Sequence, residues 1–224
     1  MAKHMHFHRE IHELKKAILT MGTLAENRLR QACAILNTKD REQAQAIMTA
    51  DWEVDDMEIR VEEECLKILA LHQPVARDLR LIIAIIKINN ELERIADIAV
   101  NIAKRILTIT AVATADFSVE LDYQPMAAKV LAMVKTSLDA LVAEDTALAR
   151  SIFLMDDEVN SLRDAAYKTV IGEIKRRPDN AAALVNVYLI ARHLERVGDR
   201  AINIAEEVIY LAEGEIVRSS EDPV

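Results

Sequence analysis

Apolar residues recur along this chain at three- and four-residue steps, with few interruptions. Such a period places side chains on one face of an α-helix, so the chain reads as a series of amphipathic helices. The first is predicted from about His8 to Leu36, with Ile11, Leu14, Ile18, Met21 and Leu24 inside. Thr38-Lys39-Asp40 breaks it and caps a second helix, from Arg41 to Leu71, with Ile47, Val54, Val61, Cys65 and Ile68 inside. A third is predicted from Pro74, a residue tolerated in a first helical turn, to Leu107. The period is lost from Thr108 to Asp122, which marks a domain boundary. Three more helices are expected at Gln124–Val142, Thr146–Lys175 and Ala181–Ala212, followed by a polar tail from Glu213. Short connections join antiparallel neighbours. The expected fold is therefore all-α: a three-helix bundle over residues 1–110, a linker over 111–122, a second bundle over 123–212 and a tail over 213–224.

The two halves repeat one another. Leu92-Glu-Arg-Ile-Ala-Asp-Ile-Ala-Val-Asn-Ile-Ala103 aligns with Leu194-Glu-Arg-Val-Gly-Asp-Arg-Ala-Ile-Asn-Ile-Ala205, with eight of twelve positions identical at an offset of 102. Ordinary residue frequencies would give about one match. Gln73-Pro74 and Arg177-Pro178 each precede the helix that carries the motif, and Asp51-x-x-x-Asp55 answers to Asp156-x-x-x-Asn160. Each half is thus helix, helix, proline turn, helix.

Composition narrows the function. Aromatic residues are only 4% of the 224, with 4 Gly and 4 Pro, which favours helices over sheets. The formal net charge is −9 and no basic block stands out, which argues against nucleic acid or anionic lipid as the main target. No stretch is apolar enough to span a membrane, and the polar, His-rich start does not read as a signal peptide, so a cytoplasmic protein is expected. Cys33 and Cys65 fall in apolar helical positions and read as buried free thiols. His4, His6 and His8 read as a mobile terminus with at most accidental metal affinity, and His193 as exposed. There is no Gly-rich phosphate loop, no Gly-x-Ser-x-Gly and no Cys/His zinc spacing.

The candidate chemistry is carboxylate. Glu93, Asp97 and Asn101 stand four apart, as do Glu195, Asp199 and Asn203, so each set shares a helix face. With the first hairpin bent at residue 73, Asp55 lies 18 before it and Glu93 20 after; Asp51 lies 22 before and Asp97 24 after. With the second bent at 178, Asn160 and Glu195 lie 18 before and 17 after, and Asp156 and Asp199 lie 22 before and 21 after. At about 1.5 Å per residue these heights match to about 3 Å. Such clusters repel unless pairing with Arg94, Arg192 or Arg196, exposure to water, or a cation compensates. All-oxygen donors suit hard cations. The expected metal residues are therefore Asp51, Asp55, Glu93, Asp97 and Asn101, and more weakly Asp156, Asn160, Glu195, Asp199 and Asn203, where Asn160 removes one charge. Iron, Mn, Mg and Zn all remain open as the ion.

The paired segments Glu91–Ala103 and His193–Glu207, with Gln73-Pro-Val-Ala-Arg-Asp-Leu-Arg80 and the opening from His8-Arg-Glu-Ile to Met21-Gly-Thr-Leu-Ala-Glu26, resemble the PhoU family over nearly the whole chain. The resemblance implies two three-helix bundles, metal clusters on Glu/Asp-x-x-x-Asp motifs and a homodimer. It also implies a non-enzymatic role, which is to couple the phosphate ABC-transporter ATPase to a sensor histidine kinase. That coupling would hold the phosphate-starvation response off when phosphate is plentiful. Any membrane association would be peripheral, at the inner membrane through those partners. A metal-dependent phosphate hydrolase or a metal-storage bundle is the alternative, since a fold does not fix function.

Overall fold

In the computed structural model, residues 2–114, 117–119 and 121–218 are described, with side chains from residue 6 onward. Among them every regular element is helical: α1 (Ala2–Ala34), α2 (Arg41–Thr49), α3 (Trp52–His72), α4 (Ala76–Val112), α5 (Gln124–Ala143), α6 (Thr146–Arg176) and α7 (Ala181–Glu213), with a 3-10 turn at Pro178–Asn180. The chain makes two three-helix bundles. In the first, α1, the α2–α3 pair and α4 pack together; in the second, α5, α6 and α7 do.

Helix termini follow local chemistry. Asp40 accepts a hydrogen bond from the Gln43 backbone N–H at 3.0 Å and starts α2; Asp145 accepts from the Leu148 N–H at 3.0 Å and starts α6. Gly214, at φ 79°, ends α7 in the left-handed conformation that favours glycine. Leu14, Ile18, Met21, Ala25 and Leu29 bury one stripe of α1, as the period predicts.

Four details differ from the sequence expectation. The second helix breaks at Ala50–Asp51. There the buried Arg28 of α1, 6% exposed, donates to the Ala50 carbonyl at 2.8 Å and pairs with Glu53 at 3.2 Å. A carbonyl drawn onto a guanidinium no longer supports a continuous helix. The third helix starts at Ala76, because Gln73 ends α3 at φ 48° and Val75 is extended. Its far end runs to Val112, past the expected Leu107. Ile109 is buried three residues after the buried Ile106, so the apolar face continues past Leu107, and the Thr108 and Thr110 hydroxyls are satisfied locally by the Lys104 and Leu107 carbonyls. The amino terminus is helical from Ala2, with His6 and His8 on α1 and His6 3.6 Å from Glu10; the His4 side chain lies outside the described residues.

The bundles meet along α4 and α7, which run antiparallel: Lys87 pairs with Glu207 at 2.9 Å, Glu91 with Arg200 at 3.1 Å, and Arg105 donates to Asn186 at 3.3 Å. A second contact joins α1 to α5, where Glu144 takes both Lys15 and Arg77. The Tyr123 hydroxyl donates to the Val187 carbonyl at 2.8 Å and ties the end of the linker to α7. Ala115, Asp116 and Glu120 of the expected linker, and residues 219–224 of the expected tail, lie outside the described residues.

Candidate functional site: two acidic clusters

The first cluster stands between α3 and α4. Asp51 occupies the N-terminal junction of α3, with Asp55 one turn along it; Glu93 and Asp97 face them from α4. The buried Asn89 donates to the Glu58 carbonyl at 2.9 Å and fixes α3 against α4 beside them. Glu58 itself belongs to the cluster: it lies close enough to Glu93 to perturb it. A four-residue step along α3 does not reach it; a three-residue step from Asp55 places it on the same face.

These carboxylates are poorly compensated. Among the described residues, none of Asp51, Asp55, Glu58, Glu93 and Asp97 has a side chain in an ion pair. Burial, then Asp97, Glu58 and Asp55, push the Glu93 carboxyl up to about 7. Burial, Asp55 and Asp97 raise Asp51 as well, against Arg28 and Lys104. Burial, Glu62, Asp55 and Asp97 raise Glu58.

The donor set and its unbalanced charge fit a hard cation. Among the described residues, however, no group of three or more His, Cys, Asp or Glu is placed to hold a metal ion. A bound cation would therefore require these side chains to turn inward.

The second cluster is built differently. Glu195, 4% exposed on α7, accepts from Arg163 of α6 at 2.8 Å and pairs with Arg192. Asn160 donates to Asp156 at 2.7 Å. Burial raises Asp156, and Asp199 across from it adds to the rise. A cation here would have to displace two guanidiniums from Glu195. Of the three arginines the sequence offered as partners, only Arg192 pairs with a cluster carboxylate; Arg163 supplies the other pair. Asn203 turns away from Asp199 and donates to Glu91 of α4 at 3.1 Å. Four residues of helix overshoot a full turn by about 40°, so the third member of an i, i+4, i+8 series drifts off the face. Asn101 holds the matching place on α4.

His193 is half-buried, not exposed. Burial and then the charges of Arg105, Arg196 and Arg192 hold its pKa down to about 4. Cys33 and Cys65 are free and buried, and burial pushes both thiols up to about 12.

No helix among the described residues is long and apolar enough to cross a membrane. A family model described as "PhoU domain" matches residues 18–106 and again 124–208. A relative from Thermotoga maritima, named phosphate-specific transport system accessory protein PhoU homolog 1, is 35% identical over 215 residues, covering 96% of this chain and 92% of its own. The crystal structure of PhoU from Pseudomonas aeruginosa superposes with a TM-score of 0.87 at 34% identity, covering 93% of this chain and 100% of that one. That of the phosphate transport system regulatory protein PhoU from Streptococcus pneumoniae gives 0.87 at 30% identity, covering 95% and 99%.

Proposed function

This chain belongs to the PhoU family, and from that premise we propose that it regulates phosphate uptake and phosphate-starvation signalling as an accessory protein, not as an enzyme. The observation that carries the reading is the match of both halves to the family domain, with relatives covered almost end to end. Those relatives are named accessory or regulatory proteins. In the finer reading the chain, as a homodimer, links the phosphate-transporter ATPase to the sensor histidine kinase and keeps starvation genes off in rich medium.

The surface supports a role exerted through another protein. Trp52, Ile59 and Leu66 lie at seven-residue steps on α3 and are 65%, 55% and 54% exposed. A seven-residue step returns these three side chains to one side of the helix, where exposed Asp55 and Asp56, then Glu62 and Glu63, stand between them. Arg60 neutralises Asp56, and Glu62 and Glu63 remain, so these apolar points sit on a net acidic face that suits a partner with apolar groups and basic side chains. Deleting the gene is expected to leave phosphate-starvation genes on in phosphate-rich medium; normal repression there would count directly against the role. The full chain should retain the transporter ATPase from phosphate-fed cells. Ile59→Ser with Leu66→Ser should release it, and equal capture by native and variant chains would remove α3 as the contact.

We further propose that Asp51, Asp55, Glu58, Glu93 and Asp97 take a hard cation. The support is five carboxylates without an ion pair, two of them in each i, i+4 series, and the cation would supply the counter-charge that Arg163 and Arg192 supply in the second cluster. Calorimetry should show binding of Mn²⁺, Mg²⁺ or Fe²⁺ that Glu93→Gln with Asp97→Asn abolishes. No heat with any of the three would leave the first cluster a solvated acidic face.

A further inference from the structure

The middle of α3 and the second half of α6 hold the same place in the two halves, at the offset of 105 that carries Asp51 to Asp156. Glu63 corresponds to Lys168, and Leu66 to Ile171. Both places are exposed and apolar in part. On α3 the exposed apolar residues are Ile59 and Leu66; on α6 they are Tyr167 and Ile171. The Tyr167 ring meets Tyr188 of α7 edge-on, with centroids 5.4 Å apart, and the exposed Val185 lies one helical turn before Tyr188.

The charges left over in the two places are opposite. Asp56 pairs with Arg60 and Glu64 with Lys67 on α3; Asp164 pairs with Arg163 and Arg176 with Glu173 on α6. Glu62 and Glu63 remain exposed on α3, and Lys168 and Lys175 remain exposed on α6. Among the described residues none of these four is in an ion pair. Each strip thus carries two large apolar side chains and two unpaired charges, and the charge of one is the complement of the other. Within one chain they do not meet: α3 packs on α1 and α4, α6 packs on α5 and α7, and both strips stay exposed.

We propose that they meet between two copies of this chain, with the acidic strip of α3 docked on the basic strip of α6 of a second copy. Ile59 and Leu66 lie against Tyr167, Ile171 and Val185, while Glu62 and Glu63 pair with Lys168 and Lys175. A strip about 20 Å long on a helix about 10 Å wide covers roughly 200 Å². One such contact then buries about 400 Å² from both copies together, no more than a chance crystal contact. Two contacts made reciprocally bury about 800 Å², the scale of a weak specific association. A closed two-fold pair makes both at once, because each copy offers one strip of each kind; an open chain of copies makes one per link. The contact uses the α3 face assigned above to a protein partner, so a second copy and the transporter ATPase compete for it.

Sedimentation of the purified full chain, in a chelating buffer so that no cation bridges copies, should show a reversible dimer with a dissociation constant of about 100 μM or tighter. Raising NaCl from about 0.1 M to about 0.5 M should weaken it several-fold. Glu62→Lys with Glu63→Lys should weaken it about tenfold or more, and so should Lys168→Glu with Lys175→Glu. A chain carrying all four reversals restores the complement and should dimerise as the native chain does, which also shows that the reversals leave the fold intact. The proposal is overturned by a chain that stays monomeric to about 300 μM, by growth past two copies, by a dimer that neither pair of reversals weakens, or by a four-reversal chain that stays monomeric. Neither transporter nor kinase is present, so a monomer would remove this contact and leave the regulatory role to the gene deletion.

Discussion

In a chelating buffer at pH 8, the Glu93→Gln, Asp97→Asn protein is expected to melt about 2–8 °C above the native chain, although two native residues have been removed. Glu93 is the reason. Its carboxyl is pushed from 4.5 up to about 7, first by burial and then by Asp97, Glu58 and Asp55. Between about pH 4.5 and 7 the folded chain holds a proton that the unfolded chain has released. Stability therefore falls as pH rises through that window, and above it the full repulsion is present. Glu93 is partly open to water, so screening reduces the effect to about 1–2 kcal/mol. The variant carries no charge at either position. Its advantage should appear at pH 8 and vanish near pH 4.5, where the native Glu93 is itself neutral. Added Mn²⁺ should reverse the order at pH 8. A cation bound only to the native fold contributes about 2.7 kcal/mol at a hundredfold excess over its dissociation constant, and the variant has no site for it. Thermal melts at both pH values, with chelator and with Mn²⁺, check each part. A variant that melts with or below the native chain at pH 8 in chelator would show that the first cluster carries no such repulsion.

Arg28→Met is expected to destabilise the chain by about 2–3 kcal/mol, lowering the melting temperature by about 4–10 °C. The guanidinium is buried and serves three groups. It donates to the Ala50 carbonyl at the break between α2 and α3, pairs with Glu53, and lies near enough to Asp51 to oppose the rise of its pKa. Methionine of similar length fills the space but satisfies none of them. Lysine can keep the charge and one hydrogen bond, so Arg28→Lys should recover about half the loss. Surface pairs such as Arg60–Asp56 set the baseline: Arg60→Met should change stability by less than about 1 kcal/mol. An Arg28→Met protein that melts within about 2 °C of native would mean that the break in the second helix is held by something other than Arg28.

Helices and their order were legible in the sequence because their signal is local. A 3.6-residue period over twenty or thirty residues, with Asp40 as a cap, depends on near neighbours alone. The repeat was legible for the same reason, since eight matched positions in twelve need no knowledge of the fold. The facing of Asp51 and Asp55 with Glu93 and Asp97 could also be counted along the chain, because a short turn fixes the height of an antiparallel hairpin.

Which charges meet was decided only in three dimensions. The two acidic clusters read almost alike in sequence, differing at Asn160. The structure pairs Glu195 with two guanidiniums and, among the described residues, Glu93 with none, because Arg163 lies on the face of α6 that meets α7. The break at Ala50 depends on Arg28, 22 residues earlier on another helix, and no local pattern carries that information. His193 looked exposed because its own helix says nothing of Arg105, which α4 brings close enough across the junction of the bundles to act on it electrostatically. Periodicity is a property of one helix and survives in the sequence. Electrostatic partnership depends on the register between helices, and only packing of α4 on α7 and of α6 on α7 sets that register.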